Sequence, residues 1–168
     1  MPIRDIQFLH YSWPFSQYTM ATASNDGSFK IVSLDGKILY TRQVGHALNT
    51  IAFTPEPYQS YSDDGCSSLV TCGGDSISSF TPVVANNQQN FTLSDLIKEN
   101  ISTPVWKIRY TANGNVCYSS DDNGIIRRYR RINNQLTFNG IVYQHKGDVQ
   151  DLDISPYDEC KSSFSKTK

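Results

Sequence analysis

Four arginines crowd into five positions at Arg127, Arg128, Arg130 and Arg131, with Tyr129 between them. Guanidinium groups bind carboxylates and phosphates through paired hydrogen bonds. With Trp106 as a second aromatic, the run is a candidate docking patch for an acidic peptide, a phosphoprotein or a nucleic-acid backbone. On a strand, Arg127, Tyr129 and Arg131 share one face, and Arg128 and Arg130 share the other. The plain alternative is a solvated outer strand whose charged heads reach water.

Nothing else in the chain assembles into a reactive set. His10, His46 and His145 are scattered. No G-x-S-x-G elbow and no phosphate-binding G-x-x-x-x-G-K-[ST] occurs, and Gly73-Gly74-Asp75 reads as a turn. The acidic groups Asp63-Asp64, Asp121-Asp122 and Asp148/Asp151/Asp153 lack calcium-loop spacing. Cys66, Cys72, Cys117 and Cys160 form no CxxC pair and read as free thiols of a reducing compartment. Asn90-Phe-Thr92 and Asn100-Ile-Ser102 match the glycosylation acceptor pattern, but no secretory leader stands at MPIRDIQFLH. The expectation is no catalytic residue, no cofactor, no metal and no small-molecule substrate.

Composition narrows the partners. The chain has 168 residues, and its formal net charge of -1 argues against a broadly basic nucleic-acid binder while allowing a local basic patch. No apolar run approaches the roughly 18 residues of a membrane span. The expected setting is intracellular, cytoplasmic or nuclear, with no membrane partner.

The elements that must position the arginine run are short strands. Tyr18–Ser24, Ser28–Ser33 and Lys37–Arg42 are rich in β-branched, aromatic or apolar residues and are bounded by Asn, Asp and Gly. Asn25-Asp26-Gly27 and Asp35-Gly36 are hairpin turn signals. Cys117–Ser120, Asp121–Gly124 and Ile125–Tyr129 repeat the same strand-turn-strand grammar, and Gln135–Tyr143 adds another strand. Thr92–Asn100, with Thr92 or Ser94 as a cap, is the best helical candidate and reads equally as a strand. The full set of expected strands is 4–12, 17–24, 28–33, 37–43, 48–54, 67–72, 76–81, 105–111, 115–120, 125–131, 135–143 and 149–154.

A longer pattern organises these strands. An apolar residue, two free positions, an apolar residue, one free position, an apolar residue and Ser or Thr recur. The four occurrences are Ile6-Leu9-Tyr11-Ser12, Leu48-Ile51-Phe53-Thr54, Val105-Ile108-Tyr110-Thr111 and Val149-Leu152-Ile154-Ser155. Two of the three intervals fall near the period of about 40 to 45 residues that marks four-stranded propeller blades. The long middle interval is assigned to a polar loop insertion at residues 81–91.

At these residues the chain resembles the WD40 repeat family. Gly45-His46 stands at the family's Gly-His position, and His145-Lys-Gly-Asp-Val149-Gln-Asp-Leu152-Asp-Ile154-Ser155-Pro156 resembles a repeat start. Ala23–Lys30 resembles the turn between second and third strands with its buried Asp, and Asp26, Asp75 and Asp122 occupy similar places. No Trp-Asp dipeptide occurs, and Val32, Phe80 and Tyr129 hold the family's Trp position.

The resemblance implies an all-β fold: a partial β-propeller of four-stranded antiparallel blades. Its repeats fall at about 4–44, 45–101 and 102–143, with the start of a fourth at 144–156. It further implies a hydrogen-bonded blade staple built from His46, Asp75, Asp26, Asp122 and His145, with His46 meeting Asp75 in the second blade. Residues 157–168 read as a polar, disordered tail, and the chain as an incomplete propeller, a fragment or truncated form of a longer protein. The expected function is a non-enzymatic protein-protein interaction scaffold. The alternatives are a module for nucleic acid or an acidic partner using Arg127–Arg131, and a truncated product without independent activity.

Overall fold

The computed structural model describes residues 2–9, 19–55, 70–84, 91–101, 103–132 and 135–155. These form twelve strands: β1 Ile3–Phe8, β2 Thr19–Ser24, β3 Ser28–Ser33, β4 Ile38–Gln43, β5 Leu48–Phe53, β6 Val70–Gly74, β7 Ser76–Val84, β8 Phe91–Asn100, β9 Val105–Tyr110, β10 Val116–Asp121, β11 Ile125–Ile132 and β12 Gln135–Gln144. They sort into three antiparallel sheets of consecutive strands, β1–β4, β5–β8 and β9–β12. Each sheet is one blade.

The blades stack through alternating side chains. In β5, Ile51 and Phe53 join Ala21, Ala23, Phe29 and Ile31 of the first blade, together with Phe80. Ala52, one residue out of phase, joins Val105, Ile108, Cys117 and Tyr129 of the third blade. A period of two therefore splits one strand between two cores. At roughly 25 cal/mol per Å² of apolar area, these two seams are the main source of stability.

Turn chemistry positions the ends. Gly27 (φ 81) and Gly124 (φ 75) both occupy the left-handed region that favours glycine. Each carbonyl then accepts from the strand linker that follows: the Val44 amide donates to Gly27 at 2.9 Å, and the His145 amide donates to Gly124 at 2.9 Å. A Cβ at Gly27 would lie 2.8 Å from the His46 carbonyl oxygen.

Residues 91–100, which read equally as a helix or a strand, form strand β8, paired with β7 from Ser76↔Asn100 to Val84↔Phe91. Three expectations need correction. The assigned insertion is smaller than expected, because β7 continues to Val84 and β8 begins at Phe91. The first repeat starts at Ile3 rather than Ile6. The bulges that set Ile3↔Ser24 beside Asp5↔Ala23, and Leu48↔Gly74 beside Thr50↔Gly73, make Ile3 and Leu48 equivalent. Residues 149–154, expected as a strand, form none, although the Val149 amide donates to the Asp121 carbonyl oxygen at 3.1 Å. The tail expected at 157–168 lies outside the described residues.

Cys117 sits in the second seam at 1% exposure, and burial raises its thiol far above the usual range. Native protein is expected to leave Cys117 unlabelled by iodoacetamide at pH 8, with labelling appearing only in denaturant. Peptide mapping that finds Cys117 alkylated in the native state would show that the seam is open.

Candidate interaction surface

The innermost strands of the three blades meet in a polar network. Asp5 of β1, only 7% exposed, is its centre. The Thr50 hydroxyl donates to Asp5 Oδ2 at 2.9 Å, and the Ile51 amide at 3.2 Å. Lys107 Nζ donates to Asp5 Oδ1 at 3.1 Å, and Arg109 Nη1 lies 3.9 Å from Oδ2. The Ile108 amide donates to Thr50 Oγ1 at 3.3 Å. Asp5, Thr50 and Lys107 follow the same bulge in β1, β5 and β9, so they are one repeat position with three chemistries. A buried carboxylate is costly unless donors surround it, and here the neighbouring Ile6 amide, at 3.1 Å from Oδ1, is joined by donors from both other blades.

A second buried carboxylate holds the third blade's turn. Asp121 is fully buried and accepts from the Thr103 hydroxyl at 3.0 Å, the Asn123 amide at 3.1 Å and the Ile125 amide at 2.8 Å. It also makes a short contact with the Arg127 guanidinium. Burial pushes its carboxyl upward, but the Arg127, Ile125 and Thr103 hydrogen bonds outweigh that and hold it below the ordinary carboxylate range.

The expected staple is replaced by these arrangements. His46 Nε2 pairs with Ser78 Oγ at 3.2 Å and Nδ1 with the Ala47 carbonyl oxygen at 3.0 Å, whereas Asp75 is exposed. Asp75 occupies a tight turn that turns its side chain to solvent, and Ser78 takes the histidine. Asp26 is exposed as well. It accepts from the Ser28 hydroxyl at 2.6 Å and amide at 2.8 Å, and those bonds hold its carboxyl low. Asp122 is exposed and accepts from Trp106 Nε1 at 3.1 Å. His145 is exposed and stacks edge-on against Tyr143. The buried acid of the third blade is therefore Asp121, one residue before the expected Asp122.

The arginine run divides as its alternation predicts, but it does not form one patch. Tyr129 is 1% exposed and belongs to the seam. Arg127 is committed to Asp121, and Arg131 is half-buried. Arg128 and Arg130 stand exposed on the opposite face of β11. Trp106 is tied to the Asp122 turn, at the far end of the sheet from Arg130. The register instead sets Arg128 beside Tyr118 and Tyr118 beside Arg109, so those three share a cross-strand row. Arg109 and Tyr118 carry no signal of their own in the sequence. Only the antiparallel register finds them.

Among solved structures, the chain is similar to a chain of a mitotic checkpoint complex, at 12% identity with a TM-score of 0.65 over 93% of this chain and 43% of that one. It is similar to the β-propeller domain of Cps50 (Swd1) from Myceliophteria thermophila, at 13% identity with a TM-score of 0.56 over 83% and 42%. It is also similar to Sqt1 from Saccharomyces cerevisiae, at 16% identity with a TM-score of 0.62 over 89% and 37%. The fold is that of a β-propeller. No protein-family model and no curated protein matches the sequence, so the likeness is one of fold. The chain spans about two fifths of the length of the propeller structures it matches. Among the described residues its three blades thus hold two buried carboxylates in structural roles and leave Arg128 and Arg130 exposed on the outer face of the third.

Proposed function

We propose that this chain is a non-enzymatic protein-interaction scaffold, working inside the cell as part of a larger propeller assembly. One observation carries the reading. Both carboxylates that are buried among the described residues, Asp5 and Asp121, are consumed by ties between blades or within a turn, while Arg128 and Arg130 stand free of the core on a rigid sheet. A rigid frame that presents exposed side chains suits docking rather than turnover. One of the similar structures is itself a complex, which supports the same reading. The partial span of the similar chains supports a longer or multi-chain working form.

The exposed arginines favour an acidic partner as the second reading. Acidic and phosphorylated peptide arrays are expected to bind the chain, and the double variant Arg128→Glu with Arg130→Glu to weaken that binding at least about tenfold. A single-stranded RNA oligonucleotide is the competing probe. A log–log salt slope near −0.7 per phosphate contacted would move the reading to nucleic acid. Binding to neither probe, or binding that the double variant leaves unchanged, would remove this face from the interaction surface.

A further inference from the structure

β12 is the outermost strand of the third blade, and among the described residues no strand pairs with its far side. An unpaired strand edge is a template for another strand, and proteins commonly blunt it with charge or proline. The outer strand of the first blade carries Arg42, and that of the second carries Asp95, Lys98 and Glu99. β12 reads QLTFNGIVYQ, with no charge and no proline, and Phe138, Ile141, Val142 and Tyr143 are all exposed. A bulge that sets Arg127↔Ile141 beside Tyr129↔Phe138 falls at Asn139-Gly140, where Gly140 has φ 109. A Cβ at Gly140 would meet nothing within 4 Å, so the bulge leaves open backbone with room for a neighbour.

Hydrogen bonds at the two ends of the strand fix which backbone groups face that edge. The Arg131 amide donates to the Asn115 carbonyl at 2.9 Å, so Arg131, and Tyr129 by alternation, direct their backbone groups toward β10. Their partners Leu136 and Phe138 therefore direct theirs to the free edge. At the other end the His145 amide donates to the Gly124 carbonyl at 2.9 Å, so His145 faces β11. Gln144, and Val142 by alternation, then face the free edge. The two outward-facing pairs, Leu136 with Phe138 and Val142 with Gln144, lie symmetrically about Gly140.

We propose that the free edge of β12 is a two-fold interface, closed by β12 of a second copy of this chain running antiparallel, with the axis at Gly140. That symmetry makes the strand its own complement. Phe138 stands opposite Val142 of the second copy, Thr137 opposite its Tyr143 and Leu136 opposite its Gln144. Aromatic side chains across from β-branched ones are favourable pairs, and a strand without charge meets itself without like-charge repulsion. The two outer sheets then run on as one. The contact is isologous, so it closes at two copies. It goes beyond the scaffold reading and stands without the arginine face.

Sedimentation equilibrium of the full chain at about 1 to 100 μM tests the interface. The parent is expected to reach a dimer and stop there. Val142→Lys sets like charges close to the axis and is expected to weaken the dimer at least about tenfold. Gln144→Pro removes an amide that faces the free edge, so it is expected to weaken the dimer while the urea midpoint of the monomer stays in place. Ile38→Lys, the same kind of change on the exposed outer strand of the first blade, is expected to leave the dimer intact. A parent that stays monomeric over this range would overturn the proposal. So would a dimer that either β12 variant leaves unchanged, or one that Ile38→Lys weakens equally. A mass that keeps growing with concentration would also overturn it, because a two-fold contact cannot propagate.

Discussion

Replacing Asp121 with alanine is expected to cost about 3–5 kcal/mol, the largest loss from any single side chain on this surface. The change leaves the Arg127 guanidinium beside an empty buried site and removes the acceptor for the Thr103 hydroxyl and for the Asn123 and Ile125 amides. A urea melt of the purified chain reads the loss directly, and a midpoint within error of the parent would refute it. Asp121→Asn separates charge from shape, since it retains an acceptor oxygen while discharging the pair. Acid adds a second check. The carboxyl is held below its ordinary value in the folded chain. Its contribution is therefore fully present above the unfolded pKa of about 3.9, and it is lost as pH falls through the lower folded value. The gap between parent and Asp121→Asn is expected to be constant from pH 7 to 5 and to narrow below pH 4. A gap that widens in acid would reverse the sign and contradict the pairing.

Asp5→Ala comes next, at about 2–4 kcal/mol. Its donors from the other blades are buried or half-buried: the Thr50 hydroxyl, the Ile51 amide and Lys107 Nζ. None can turn to bulk water without moving an innermost strand. Lys107→Met removes the charge and keeps most of the stem. A double-mutant cycle with Asp5→Ala is expected to return a coupling of about 1–3 kcal/mol. Additive effects would mean that Lys107 is satisfied elsewhere, with Asp151 at 3.8 Å the first place to look.

Much of the architecture was legible from local chemistry. Gly27 and Gly124 mark turns that only a positive φ allows, and the alternation through Arg127–Arg131 correctly separated an inward from an outward set. Other features depend on register, which a single sequence does not carry. Ile3-Ile6-Phe8 and Ile6-Leu9-Tyr11 fit the same apolar spacing, and a bulge between Ile3 and Asp5 decides between them. Two adjacent acids, Asp121 and Asp122, are equivalent by composition, and a one-residue offset in the turn buries only the first. Thr92–Asn100 carries helix-like capping residues, and pairing with the long β7 overrides that local preference. The Asp5 centre was invisible because the hydrogen-bond donors that reach it from other blades lie 45, 46 and 102 residues away.

That last separation bears on how the chain folds. Hairpin ladders close locally and early, and stacked repeats commonly gain or lose units one at a time from an end. Lys107 bonds Asp5 directly, so the third blade is tied to the first without passing through the second. Peeling away either outer blade would strand a half-buried ammonium or a buried carboxylate on the blade left behind. The tie therefore penalises partly frayed states more than a nearest-neighbour stack would, and it favours a single sharp transition over stepwise melting. It also belongs to the latest step of folding, because the loop it closes forms only after all three hairpin arrays are in place.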